Sequence, residues 1–467
     1  MSGGFFEVSP GEILGPGKNV VVGFETATAL LRALFRSGSA RAPTAGFAFV
    51  ADFDDTLRTA IGRSQPAHPE LVDAVDDAAR ESYWARWLDG ARDASLAVSE
   101  AYWSRLRNGG DALDDEDLAR IAASLVESLK WNACDRFGPD ETLWTRLSAL
   151  LAEVPELDDD EVIRQRSPAI AVEYLRAVAY HSAQFDQLAL PEAVAAAHLI
   201  DLSMPWLTLE REPDDGAQYV VSPNLAPVPQ WQVAPDGRAQ WHFMPWQAER
   251  LLAEISLWVE GHTMPRMLNR AKRETYRAAL AHLRKLWSST PPARQEVRRP
   301  LPGTFAVACG VEECKRLAHG GALDWKRQWA AVDVSRKGIA LLAPSTPGLS
   351  WPELGELLGF MLAEDGTFHV GIVRRFRIVE NWNARYGIQI MSRSARAVEV
   401  FDGKHFHPVL LCDEIVSGKL LRLVSLPAAL QRDRPLRLAL AGQVTELEPV
   451  SGLQQGKGFD IRAYRAA

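Results

Sequence analysis

The sequence predicts a multidomain α+β protein: a largely α-helical N-terminal region, then a small six-stranded β-barrel, then a further β-rich C-terminal segment. Three observations carry this expectation. Apolar residues recur at helical spacing through the first half, as in Leu118, Ile121, Leu125 and Leu129. Beyond Pro292 the texture changes to short runs rich in Val, Ile, Phe and Trp, bounded by Gly, Pro or Asp. At 467 residues the chain is also long enough to hold several separate cores.

Residues 1–68 read as mixed, with β-like runs at 19–23 and 47–51 around a helical pattern of Leu30, Leu31, Leu34 and Phe35. Residues 69–215 read as helical. Asp114 and Asp115 are N-cap candidates before the Leu118 stripe, and Leu143, Trp144, Leu147, Leu150 and Leu151 repeat the pattern, as do Val172, Leu175 and Val178. The acidic run 158–161 reads as a solvated helix start. In 216–290, segments 231–233 and 240–243 around Pro235-Asp236-Gly237 suggest a β-hairpin. Helices follow at 246–261 and 264–287, the second with an apolar stripe of Tyr276, Leu280, Leu283 and Trp287, and 288–292 reads as a linker. Residues 291–400 hold six strand-like runs, at 305–309, 328–334, 339–342, 357–362, 369–379 and 386–390, the count for a small closed barrel. Residues 401–467 add strands near 409–411, 420–424, 436–441 and 458–463.

A net charge of −8 argues against wholesale binding to nucleic acid or an anionic membrane. The charge is uneven, however. Residues 261–340 hold 16 Lys/Arg against 6 Asp/Glu, a basic island in an acidic chain that suits a small anionic ligand better than a long polyanion. Cys134, Cys309, Cys314 and Cys412 are too few for a disulfide framework, and the Cys309/Cys314 pair has no second pair at zinc spacing, so no metal is expected. The N-terminus lacks a basic, then apolar, leader pattern, and no uncharged apolar run approaches membrane-spanning length. The expectation is a cytoplasmic protein without membrane insertion.

Two motifs stand out. Arg294-Gln-Glu-Val-Arg298 is an R-x-x-x-R spacing just before the first barrel strand. Asp333-Val-Ser335-Arg-Lys-Gly338 is a D-x-S-x-x-G spacing at a strand-to-strand turn. R-x-x-x-R recurs elsewhere, at Arg32/Arg36 and Arg273/Arg277, so the weight lies in order and context. An arginine pair in a linker, a strand, D-x-S-x-x-G, and later strands around Gly371-Ile-Val373-Arg374-Arg375 and Tyr386-Gly387-Ile-Gln together resemble the PilZ family over about 294–400.

That resemblance implies a receptor for the bacterial second messenger cyclic di-GMP, acting in signal transduction rather than as an enzyme, with Arg294, Arg298, Asp333, Ser335 and Gly338 as ligand-binding residues and no cofactor. It also implies that ligand capture reorders the linker and that the helical region engages a protein partner. The chemistry agrees. Guanidinium forks donate paired hydrogen bonds to phosphate or to the O6/N7 edge of guanine. A carboxylate accepts from guanine N1–H and the N2 amino group, which adenine cannot offer. Ser335 can add a polar contact, and Gly338 permits a tight turn and close approach. Against the family pattern, 34 residues separate Arg298 from Asp333, and 309–328 reads as an insertion. The simpler reading makes Arg294 and Arg298 solvated linker charges and Asp333-x-Ser335 an ordinary turn. Arg374 and Arg375 read as surface charges, because strand alternation lets only one face a site.

A different class is suggested near the N-terminus. Phe47-Ala-Phe-Val-Ala-Asp52-Phe-Asp54-Asp55-Thr56 is similar to the first motif of haloacid-dehalogenase-type phosphatases, with Asp52 as nucleophile and Asp54 as general acid. The later motifs of such enzymes do not follow, and a helix cap at Asp54 and Asp55 is the simpler reading. A structural adaptor without a ligand is the third possibility.

Overall fold

The computed structural model describes residues 9–467 apart from 17, 36–45, 65–76, 109–112, 153–168, 211–218, 223–225, 232–240, 262–263, 269, 291–295, 321–327, 345–351, 363–365, 380–382, 432 and 441. The acidic run 158–161 therefore lies outside the described residues. Contacts divide the chain into two units, 1–293 and 294–467.

The first unit holds helices α1 (Pro10–Leu14), α2 (Val20–Phe35), α3 (Phe47–Ser64), α4 (Asp77–Asn108), α5 (Asp115–Cys134), α6 (Glu141–Ala152), α7 (Ala169–Ser182) and α8 (Leu190–Ser203). A small sheet of β1 (Leu209–Glu210), β2 (Tyr219–Ser222), β3 (Ala226–Trp231) and β4 (Trp241–Phe243) follows, then α9 (Glu249–Glu260) and α10 (Arg273–Leu286). One hydrophobic core runs through it from Ile13 to Trp287. Asp114 caps α5 as the sequence suggests, its carboxylate accepting from Asp117 N–H at 2.9 Å. Trp84, Trp87 and Trp131 pack edge to face, and the buried Trp287 indole donates to Ser182 Oγ at 3.0 Å.

Three expectations are corrected here. Both β-like runs are helical. Asn19 caps the Val20-Val21-Val22 run by accepting from two backbone N–H groups, and Val21, Phe24, Ala27, Thr28 and Leu31 are buried at helical spacing. In α3, Val50, Phe53, Leu57, Ala60 and Ile61 do the same. Burial of a helical face thus overrides the strand propensity of Val and Phe. The proposed hairpin also differs, because β2 lies between β3 and β4 and pairs with both. The last helix begins at Arg273, nine residues later than its apolar pattern suggests, while Tyr276, Leu280, Leu283 and Trp287 are buried as that pattern requires.

The second unit carries two closed barrels. β6 (Thr304–Cys309), β7 (Gln328–Val334), β8 (Gly338–Ala343), β9 (Leu357–Leu362), β10 (Phe368–Ile378) and β11 (Ala384–Ser392) close in the order β7-β6-β9-β10-β11-β8, with the short β5 (Arg299–Pro300) added outside β7. All six expected strands are present. Helix α11 (Gly310–Ala318) lies in the first half of the 309–328 segment, of which 321–327 are outside the described residues. The C-terminal segment is itself a closed barrel, ordered β12 (Arg396–Phe401), β13 (Phe406–Leu411), β14 (Leu420–Ser425), β17 (Phe459–Ala466), β16 (Gln443–Gly456) and β15 (Leu436–Leu440). Its strands β12 and β16 escaped the sequence reading: β12 straddles the expected boundary at 400, and β16 is polar along much of its length. Closure leaves neither barrel an open edge. Val311, Cys314 and Leu317 of α11 pack with Phe368 and Val370 of the first barrel and Leu410, Val424 and Phe459 of the second in one shared apolar cluster.

Among the described residues no helix is long and apolar enough to cross a membrane.

Candidate functional site

Four of the five candidate residues are described, and all four meet on the outer wall of the first barrel. Ile339 and Leu341 point into the barrel core, so Ala340 and its cross-strand partner Asp333 face outward. Arg298 Nη1 donates to Asp333 Oδ1 at 2.5 Å. Ser335 closes the turn to β8, its N–H donating to Gly338 O at 2.7 Å and its hydroxyl to the same oxygen at 3.4 Å. Gly338 has no left-handed backbone. Its lack of a side chain is used for closeness instead: a Cβ there would lie 3.2 Å from Ile388 O and 3.7 Å from Arg298 Nη2. Arg294 lies outside the described residues.

The linker reaches the turn despite the long gap in sequence. β5 pairs with β7, placing Arg299 opposite Val334 and Pro300 opposite Asp333. Ahead of it, Glu296 accepts from Lys337 N–H at 2.9 Å. The intervening residues 310–318 fold as α11 in the apolar cluster shared by the barrels, so they do not separate Arg298 from Asp333.

Three arginines join the site without belonging to either motif. Arg385 Nη2 donates to Asp333 Oδ2 at 3.0 Å, so the carboxylate lies between two guanidiniums. Arg393 Nη2 holds Ser335 O and Arg336 O at 2.8 and 3.0 Å, bracing the turn. Arg375 lies in the same cross-strand row as Asp333, through Ala340 and Gly387. A Cβ on Gly387 would sit 3.1 Å from Arg375 Cβ, so glycine lets that stem pass close to the floor of the row. The expected alternation of Arg374 and Arg375 is broken by a register shift between Val373 and Arg375, and Arg374 bonds Gln389 at 2.8 Å. The only trace of Arg385 in the sequence is its place one residue before the inward Tyr386, which marks it as outward-facing.

This arrangement can bind an anion with planar donors. An ionised carboxylate offers about four acceptor sites, and the two arginines occupy one on each oxygen of Asp333. The Asp333 side chain is 18% exposed, leaving an edge for a paired donor such as guanine N1–H and N2–H. Arg298 at 33% and Arg385 at 47% keep guanidinium surface for phosphate or base.

The second candidate pair has a different setting. Asp52 and Asp54 lie within α3, where positions two apart point to different faces, and no strand delivers Asp52. Asp54 and Asp55 are mid-helix and not a cap. Asp54 is buried and accepts from Arg58 at 2.8 and 3.1 Å. Burial raises its carboxyl above the ordinary value, and Arg58 offsets this only in part. Nearby, Glu127 accepts from Lys130 and Trp131, and against the effect of burial Lys130 and Arg58 hold it below the usual carboxylate range. These groups satisfy one another inside the helical core. Among the described residues no group of His, Cys, Asp and Glu is placed to hold a metal ion.

No family model matches the chain, and no curated protein matches it in sequence.

Proposed function

We propose that the chain is a cyclic di-GMP receptor whose first barrel is of PilZ type. The observation that carries this reading is the meeting of Arg298, Asp333, Ser335 and Gly338 at one turn, from two motifs 34 residues apart. Arg385, Arg375 and Arg393 add positive charge around a single guanine-competent carboxylate, which suits a ligand with two phosphates and two guanines. In this reading Arg298 and Arg385 shift part of their bonding from Asp333 to the ligand, and Asp333 reads the guanine Watson–Crick edge.

The test is calorimetric titration of cyclic di-GMP into the full chain and into Arg298→Ala and Asp333→Ala. Saturable heat with wild type, weakened in both variants, is expected. Absence of heat with wild type, or equal affinity in both variants, rejects the assignment. Cyclic di-AMP serves as the base control and is expected not to bind.

A further inference from the structure

The turn between β7 and β8 is held unevenly. The four carbonyls of residues 335–338 all have protein partners. Arg393 Nη2 donates to Ser335 O and Arg336 O, Ile390 N–H to Lys337 O at 2.9 Å, and Ser335 N–H to Gly338 O. The Lys337 N–H instead donates to a side chain, Glu296 Oε2, at 2.9 Å. With its carbonyls engaged and the Arg393 guanidinium against it, the turn offers a backbone donor in positive surroundings, which is what seats an anion. Glu296 supplies that anion from the chain itself.

Glu296 shares the turn with the recognition residues. Two positions on, Arg298 reaches Asp333, and its Nη2 lies 3.7 Å from where a Cβ on Gly338 would stand. Val297, between the two, is 84% exposed and adds no apolar packing that would fix the segment there. A carboxylate and a phosphate are both anionic acceptors of an N–H, and one N–H cannot serve both. Side by side they also repel, so an acid at this place opposes an incoming phosphate.

We propose that Glu296 is a built-in competitor of cyclic di-GMP. In the free protein its carboxylate occupies the Lys337 N–H; on binding, a ligand phosphate takes that N–H and Glu296 turns out to solvent. The inference rests on the receptor reading above and adds to it a phosphate seat at Lys337 and a residue that weakens binding. Glu296 lies inside the R-x-x-x-R spacing, so the segment that brings Arg298 to the ligand also carries the group the ligand displaces. Position 296 thereby sets the messenger concentration at which the site fills, without altering Arg298 or Asp333.

Cyclic di-GMP is titrated by calorimetry into the full chain and into Glu296→Ala, Glu296→Gln and Glu446→Gln, at about 0.15 M salt to screen distant charges. Expected are about tenfold tighter binding in Glu296→Ala and about threefold in Glu296→Gln, which keeps an acceptor for the N–H but no charge. Glu446 is an exposed acid on the second barrel, paired with Arg437, and its variant removes the same charge elsewhere, so wild-type affinity is expected there. A carboxylate that merely orders the linker gives the opposite sign, weaker binding in both Glu296 variants. Wild-type binding with equal or weaker affinity in both Glu296 variants, or a gain in Glu446→Gln as large as in Glu296→Gln, overturns the inference and leaves the receptor reading standing. No heat with wild type and with either Glu296 variant rejects the receptor reading itself.

Discussion

Asp333→Asn separates a structural role of the Arg298–Asp333–Arg385 cluster from a recognition role. The substitution keeps shape and removes charge. In the free protein it weakens two ion pairs whose side chains are 18% to 47% exposed. Such pairs contribute about 0.2–1 kcal/mol each, so the barrel is expected to lose about 0.4–2 kcal/mol, a fall of a few degrees at most in melting temperature. Recognition is affected more strongly. An amide keeps one acceptor oxygen and turns a donor toward the guanine edge, so one charge-assisted hydrogen bond is lost and a donor opposes a donor. At about 2–4 kcal/mol, this is a roughly 30- to 700-fold loss of cyclic di-GMP affinity. Calorimetry gives the affinity and thermal denaturation the stability, on the same samples. A Kd within threefold of wild type, accompanied by a lower melting temperature, would refute the recognition role and leave Asp333 as a clamp for the linker.

Other consequences are open to direct measurement. Burial, aided by Arg270 and Lys130, lowers the His198 imidazole to about 4 from its ordinary 6.5, and its Nδ1 lies 2.7 Å from Tyr276 Oη. The unfolded chain therefore takes up a proton below 6.5 that the folded chain refuses. This group takes about 1.4 kcal/mol per pH unit from the stability of the helical unit from 6.5 down to 4, while Asp135, raised by burial to about 7, acts in the opposite direction, so the effect is read as the difference in slope between wild type and His198→Asn in denaturant titrations followed by Trp fluorescence. Arg58→Met leaves Asp54 buried without its partner. With Arg58 34% exposed the full buried-pair penalty is discounted, to about 2–4 kcal/mol, and Asp54→Asn in the same chain should restore most of it; an unchanged denaturation midpoint in the single variant contradicts the pairing. Gly371→Ala would put a Cβ 2.7 Å from Gln389 O and 2.5 Å from Ile388 Cγ2, so a destabilisation of about 1–3 kcal/mol is expected, read as a lower melting temperature of the barrel unit; a melting temperature equal to wild type contradicts this packing.

The α+β class, the six strands of the first barrel and the Asp114 cap were legible in the sequence because each rests on local pattern: short runs rich in Val, Ile, Phe and Trp, Gly and Pro boundaries, and an acidic cap before an apolar stripe. The meeting of Arg298 with Asp333 was foreshadowed only by motif order. The structure brings them together because β5 pairs with β7 and α11 is taken up in a separate apolar cluster. Where local propensity and tertiary burial conflict, at Val20–Val22 and Phe47–Ala51, the sequence misleads, since a helical face packed into the core outweighs the strand preference of β-branched and aromatic residues.

Arg385 and Arg393 had no motif to announce them. Their roles come from tertiary placement, which decides which arginine reaches a carboxylate and which braces the turn. By itself the sequence determined the α+β class, the strands of the first barrel and the residue types available for binding. Only the tertiary structure decided which of those residues share a wall, because register and closure depend on hydrogen bonds between segments far apart in the chain.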